Sequence, residues 1–358
     1  MFKRSLIFTC LTACSLLGSP QTGYADPKSI KLGYTLALTG KGAFVGIQSK
    51  AGAELARREL QTAGNDIEIL FEDHQTDAKT AVTGVKKLLE INGVDAVLCD
   101  LTPTCTAISP IVAKARKVLL YQAPINSIIE SNPYAFKNFL DYQSGCNAVA
   151  RYWRSHGIKK VGHLKLNTEF GELCLKGSKQ VFSNQSVIDY NSGDDLRTAI
   201  LRLKESGVEV IFQTGYEPDY INRFKTASEL HFSAPAGMPE PLLTQTVIAQ
   251  SSAVLDGTVS FGFIPLSPEF VSRLRDSGLY TSGNAIESAA TTYFNVRAIV
   301  HAIQICPDRD IDCKVKDISA LQSDALLGFQ GWINRQAQYS YLLKTWKDGK
   351  LKTVGAEQ

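Results

Sequence analysis

A chain of 358 residues, 44% of them hydrophobic, is long enough for two domains of ordinary size, each with its own core. Its 38 Lys and Arg nearly balance its 35 Asp and Glu, which excludes the concentrated basic face that nucleic acid or an anionic membrane surface requires. The eight cysteines include no Cys-x-x-Cys pair and the five histidines are scattered singly, so neither a zinc site nor any other metal or cofactor is expected.

At the N-terminus, Lys3 and Arg4 precede an apolar stretch from Leu6 to Gly18, and Gly23-Tyr24-Ala25 offers small residues for cleavage. Residues 1–25 read as a secretory signal, since the apolar run falls short of the roughly 20 residues a membrane-spanning helix needs. Leu11-Thr12-Ala13-Cys14 has the form of a lipobox, which would instead anchor the chain through Cys14. Either way the expected location is outside the cytoplasm, in the periplasm. Removal of the signal leaves 358 − 25 = 333 residues, with 36 basic against 35 acidic side chains. Six cysteines remain. Cys306 and Cys313 bracket a polar loop and form the best pair, while Cys99 with Cys105 and Cys146 with Cys174 stay open as further pairs or free thiols.

Ile30 to Leu36 is an apolar run of strand formers, followed at once by Gly40, Gly42 and Gly46 and a helix from about Ile47. Such a turn lets the backbone approach a ligand, with the free N–H groups of the helix facing the same spot. Ile67 to Phe71 is the second strand. Asp77 caps the helix that follows, in which Val82, Val85, Leu88 and Leu89 form an apolar stripe. Ala96 to Cys99 and Val118 to Tyr121 are the third and fourth strands, separated by a polar turn at Thr102 to Thr106 and a helix to about Arg116. The segment from Ala123 to Tyr142, rich in Pro, Asn and Ser, breaks the rhythm as a crossing between lobes would.

A second series of strands and helices follows, with strands at Val161 to Leu166, Val187 to Tyr190, Val208 to Phe212 and Thr258 to Phe263. Ala234 to Pro241, with three prolines, reads as a loop. Pro265 and Pro268 mark a second crossing, Ile286 to Ile305 a long helix, and the tail from Leu326 a third crossing into a hairpin that turns at Lys347-Asp348-Gly349. The expected fold is α/β: two lobes, each a parallel sheet flanked by helices, joined by three hinge crossings. Lobe 1 takes residues 26–141 and 263–326, and lobe 2 residues 142–262 and 327–358.

In open parallel sheets a ligand sits beyond the carboxyl ends of the strands. The residues there are hydroxyls and amides in lobe 1, and Tyr216, Glu217 and Glu240 in lobe 2, a set suited to a small ligand with an anionic or carbonyl end and a cationic amine. Leu38-Thr39-Gly40 with Gly46 and Gly52-Ala53-Glu54-Leu55-Ala56, then Glu72-Asp73-His74-Gln75-Thr76-Asp77 and Val94-Asp95-Ala96-Val97, resemble the type I periplasmic binding proteins of the branched-chain amino-acid (Leu/Ile/Val-binding) type. The resemblance runs over nearly the whole mature chain and rests on the order and spacing of motifs that are individually weak.

The resemblance implies a monomeric Venus-flytrap protein that closes on a small amine-bearing ligand, an amino acid or amide, and delivers it to the membrane permease of an ABC importer. It implies binding and no catalysis. Tyr216 falls where the family has an aromatic pocket wall, and Glu240, in Met238-Pro239-Glu240-Pro241, where amino-acid binders place the carboxylate for the ligand's ammonium group. The family's carboxylate-holding slots are here Pro103, flanked by Thr102 and Thr104, and Ile125-Asn126; Pro103 has no N–H to donate. Phe170 stands for a family tyrosine and loses a hydroxyl. The amine half of an amino-acid site therefore survives better than the carboxylate half, which leaves room for a ligand other than a standard branched-chain amino acid. Two other readings compete: a sensory ligand-binding module on the same fold, and a dinucleotide-dependent oxidoreductase. The latter is disfavoured because Gly40-x-Gly42-x-x-x-Gly46 departs from Gly-x-Gly-x-x-Gly and the chain carries an export signal. Glu240 and Tyr216 also have plain readings, as a solvated loop carboxylate and a packing ring, and Thr102, Thr104 and Asn126 as helix caps or turn residues.

Overall fold

The computed structural model describes residues 29–280, 285–322, 326 and 328–357, so the expected signal segment and Cys14 lie outside the described residues. The strand and helix alternation builds two seven-stranded sheets. In the first lobe, β1 (Ile30–Leu36), β2 (Ile67–Asp73), β3 (Ala96–Asp100), β4 (Val118–Gln122) and β5 (Ala135–Lys137) run parallel in the order β5-β4-β3-β1-β2. Every residue of β1 except Lys31 is buried, as a strand covered on both faces requires. Around this sheet pack α1 (Ala43–Thr62), α2 (Ala78–Lys86), α3 (Thr102–Lys114) and the short α4 (Ser127–Ser131).

The chain crosses at residues 138–141 into α5 (Tyr142–Ser155) and the second lobe. There β6 (Val161–Leu166), α6 (Glu169–Lys179), β7 (Gln185–Tyr190), α7 (Arg197–Glu205), β8 (Val210–Gln213), α8 (Glu217–Glu229), β9 (Ala236–Pro239), α9 (Gln245–Ser251) and β10 (Val259–Phe263) repeat the pattern. After β10 the chain returns through α10 (Pro268–Asp276) to α11 (Ile286–Ile305) and α12 (Ile311–Ser319). A Cβ on Gly52 would collide with the backbone of Ala289, so this glycine lets α11 lie directly against α1 in the first lobe. A Cβ on Gly46 would likewise collide with the carbonyl of Ala37; the glycine-rich turn is fixed by packing against the end of β1.

The end of the chain departs from the expected division. β11 (Phe329–Ile333) and β12 (Gln336–Tyr339) pair with each other and, through β12, with β5, so they belong to the first sheet. Only β13 (Tyr341–Lys347) and β14 (Lys350–Glu357) join the second sheet, with β13 antiparallel to β10. The third crossing is therefore Ser340 and not the region of Leu326. The reason is local: Asn334 and Arg335, both at positive φ, turn the chain back on itself as a hairpin before it leaves. The terminal hairpin does form, with Asp348 at φ 53° and Gly349 at φ 74°, the turn that suits a right-twisted strand pair.

The proline-rich stretch Ala234 to Pro241, expected as a loop, is in part a strand. It contains β9, buried between β8 and β10, with Pro239 opposite Phe261 at the strand's end, where the lost N–H costs least. All three cysteine pairs are bonded: Cys99 to Cys105, Cys146 to Cys174, and Cys306 to Cys313.

The lobes touch. Phe44 of α1 and Ala285 join an apolar cluster otherwise built by second-lobe residues, among them Tyr220, Phe224 and Leu242. Lys41 Nζ also donates to the carbonyl of Ser192 across the cleft at 3.2 Å.

Candidate ligand-binding cleft

A cavity of about 60 Å³ lies between the lobes, at the carboxyl ends of both sets of parallel strands. The first lobe supplies Phe44 and Val45 from the first turn of α1, Leu101 and Thr102 from the start of α3, Gln122 and Pro124 from the end of β4, and Ser288 from α11. Phe139 stands in the first crossing, and the second lobe closes the space with Tyr142, Phe170, Gly215, Tyr216, Pro241 and Leu242. No Asp, Glu, Lys, Arg or His is among these lining residues.

The aromatic rings form a continuous wall. Phe139 and Tyr142 lie 6.0 Å apart, Tyr142 meets Phe170 edge-on at 6.4 Å, and Phe170 meets Tyr216 at 5.9 Å. Such rings offer a large apolar contact area at fixed geometry, and edge-to-face pairs hold one another in place. Burial, with Asp219 adding to it, pushes the Tyr216 phenol up to about 12, so it stays protonated. Burial also raises the Tyr142 phenol above its ordinary value.

The start of α3 is shaped by its sequence. Leu101 is held at φ 66°, which turns the chain sharply from β3 into the helix, and the bond from Cys99 to Cys105 clamps the strand end to the first turn. The helix begins at Thr102 itself, where a polar turn was expected. Thr102 is 7% exposed and its Oγ1 has no partner among the described residues. Neither α1 nor α3 carries an acidic residue or a side-chain cap in its first turn, and both begin beside the cavity, although the N–H groups of Ala43, Val45 and Gly46 in α1 already donate to the carbonyls of Gly40 and Gly42. The corresponding end of α8 is already satisfied, since Asp219 accepts the backbone N–H of Tyr216 at 2.9 Å.

Of the residues singled out from sequence, Thr102, Phe170 and Tyr216 border the cavity and Thr104, Asn126 and Glu240 do not. The Thr104 hydroxyl donates back to the carbonyl of Asp100 at 2.6 Å, the use a first-turn threonine often makes of its side chain. Asn126 Oδ1 accepts from the buried Lys137 Nζ at 2.8 Å, beside the first crossing. Glu240 Oε1 accepts from Lys344 Nζ at 2.6 Å, within the second lobe. That carboxylate borders a neighbouring polar pocket together with Glu287 of α11. Gln122, Tyr142, Phe139 and Ser288 line the cavity and were missed. Gln122 is the last residue of its strand, so counting only residues after the strand passes over it.

A family model described as "Periplasmic binding protein" matches residues 29–350. The chain belongs to the periplasmic binding protein family. Among curated relatives, a Leu/Ile/Val-binding protein homolog 7 of Brucella melitensis is 21% identical, over 96% of this chain and 95% of that one. Among solved structures, a leucine-binding protein of Thermotoga maritima superposes with a TM-score of 0.80 at 16% identity, covering 91% of this chain and 98% of that one. A solute-binding protein of an ABC transporter from R. palustris, in complex with 4-hydroxybenzoate, superposes with a TM-score of 0.81 at 18% identity, covering 92% and 97%. These likenesses span this binding protein from its first strand to its terminal hairpin, and the two-lobed plan read from the sequence is the plan observed. The family is one of solute-binding proteins, not of enzymes.

Proposed function

We propose that this protein is the extracytoplasmic solute-binding component of an ABC importer, and that it closes on a small carboxylate with an apolar or aromatic body. The observation that carries this reading is the lining of the cleft: an aromatic wall with no charged side chain, faced by the N-termini of α1 and α3, whose first turns hold no acidic residue. Helix N-termini favour an anion, and the rings of Phe44, Tyr142, Phe170 and Tyr216 favour a flat or branched apolar body. The carboxylate expected to take an ammonium group stands outside this cavity and bonds Lys344 through one of its oxygens. Beside the amine-bearing ligand suggested by the motifs, the lining of this cavity favours an acid of the kind named for the R. palustris neighbour. Thr102, Phe170 and Tyr216 are the proposed contacts among the residues read from sequence.

In this account the lobes swing about residues 138–141, residues 264–267 and Ser340, the protein acts as a monomer in the periplasm after loss of residues 1–25, and a membrane permease receives the ligand. A thermal-shift panel of aromatic acids, branched-chain acids and amino acids tests the reading, since a true ligand raises the melting temperature by mass action. Stabilisation by benzoate-type acids supports it. Stabilisation by amino acids alone overturns it.

A further inference from the structure

The end of β4 holds a polar group that the aromatic wall does not explain. Gln122 is 3% exposed and borders the cavity. Its Nε2 donates to the hydroxyl of Thr292 on α11 and, at 3.2 Å, to the hydroxyl of Tyr34 on β1. Those two hydroxyls also bond each other at 3.2 Å. With Nε2 placed against these two hydroxyls, both amide hydrogens are used. Its Oε1 is buried without a partner. Thr102, which also borders the cavity, has a buried Oγ1 with no partner among the described residues. Buried carboxamide oxygens are normally paired, and one left open on a residue that borders the cavity offers an acceptor to a ligand's donor.

We infer that Gln122 is the specificity-determining residue of the cleft and that it selects, among small acids with an apolar body, those that carry a hydroxyl group. The inference rests on the reading of the cleft as a carboxylate site and adds the second polar group of the ligand. A hydroxyl fits better than an ammonium group because it brings a donor without a charge, and no unpaired carboxylate borders the cavity. Tyr34 and Thr292 are positioning residues: they hold the carboxamide from behind and do not border the cavity. A site built to bond a hydroxyl rejects the analogue that lacks it far more strongly than an apolar pocket rejects a missing methylene, because the unmatched polar atom stays buried.

The test is calorimetric titration of the mature protein with benzoate and with 2-, 3- and 4-hydroxybenzoate. At least one hydroxylated isomer is expected to bind about tenfold or more tightly than benzoate. Gln122→Met, close in volume but without the acceptor, should bring that ratio near one. Thr292→Val should lower the ratio part-way through loss of the lock, a readout that general destabilisation would not produce; circular dichroism confirms that each variant folds. Binding of all four acids with a ratio unchanged by Gln122→Met overturns the inference and leaves the carboxylate reading standing. Equal binding of benzoate and every hydroxylated isomer by the native protein does the same. Failure of all four acids to bind overturns both.

Discussion

Replacement of Glu240 by glutamine separates the two roles this residue can have. The side chain of Glu240 is 15% exposed and that of Lys344 16%, and their charged atoms meet at 2.6 Å. Burial raises the Glu240 carboxyl and the lysine lowers it, with burial the larger effect, so the pair is held at some cost. Breaking a fully buried pair by removing one partner costs roughly 3–5 kcal/mol. An exposed pair contributes about 0–1 kcal/mol. A pair that is mostly but not fully buried falls between these, and Glu240→Gln, which keeps an acceptor for Lys344 but removes its counter-charge, should cost about 2 kcal/mol of stability. Urea unfolding of the mature protein measures it, and Lys344→Met added to Glu240→Gln should recover part of the loss. Affinity for a bound aromatic acid should change by no more than about threefold, under 1 kcal/mol. If Glu240→Gln instead weakens binding by roughly 2–5 kcal/mol, as loss of a buried charged anchor would, and leaves stability untouched, then Glu240 contacts the ligand and the assignment of the cleft is wrong.

Three further outcomes follow from particular buried groups. His163 is fully buried on β6, stacked on Phe212 at 5.5 Å, with both ring nitrogens unpartnered and its basicity pushed down to about 3 by burial. Its folded value lies below its unfolded value, so the unfolded chain binds the extra proton and stability falls with acidification below about pH 6.5, by up to about 1.4 kcal/mol per unit; His163→Phe should be more stable by about 1 kcal/mol at pH 7 and show a shallower acid loss in urea unfolding. Glu287, on α11 at the lobe interface, is pushed up to about 7 by burial, with Glu240 adding to the rise and Lys344 opposing it. A carboxyl raised in the closed form stabilises it at low pH and loses that contribution as pH rises through 7, so ligand affinity should decline from pH 5 to pH 8 in the native protein, and Glu287→Gln should flatten that profile in titrations. Removing the bond between Cys99 and Cys105 as a double serine variant frees a loop of six-residue separation. Thermal unfolding should show a loss of about 2 kcal/mol, and binding should weaken as the turn at Leu101 loosens.

Much of this fold is legible in the sequence because it rests on long, repeated signals. The apolar run at Ile30 to Leu36 becomes a buried central strand, and the long helix read at Ile286 to Ile305 has those bounds. What the sequence hides are short elements set by tertiary pairing. β9 has four residues and carries a proline, and only its place between β8 and β10 makes it a strand. β5 has three, inside a segment whose Pro and Asn content signals a crossing. The late crossing at Ser340 depends on β12 finding β5, a pairing across 200 residues of chain that no local pattern encodes.

The site shows the same division. Phe170 and Tyr216 border the cavity because a residue just after a parallel strand projects into the cleft whatever its chemistry. Thr104 lies in the first turn of α3 and Asn126 just before α4, both beyond strand ends, but which way each side chain turns depends on one helical step and on a lysine eleven positions on. Glu240 looks free in sequence because its partner Lys344 lies 104 residues away, on a strand that arrives only after the last crossing. The glycines at 40, 42 and 46, which suggest a phosphate cradle by themselves, close a turn against β1 and bring Phe44 to the cleft.

The most direct test is a calorimetric comparison of 4-hydroxybenzoate and leucine on the same preparation of the mature protein at neutral pH. The account predicts saturable one-to-one binding of the aromatic acid and no measurable heat from leucine. Tight binding of leucine with none of the aromatic acid would contradict it.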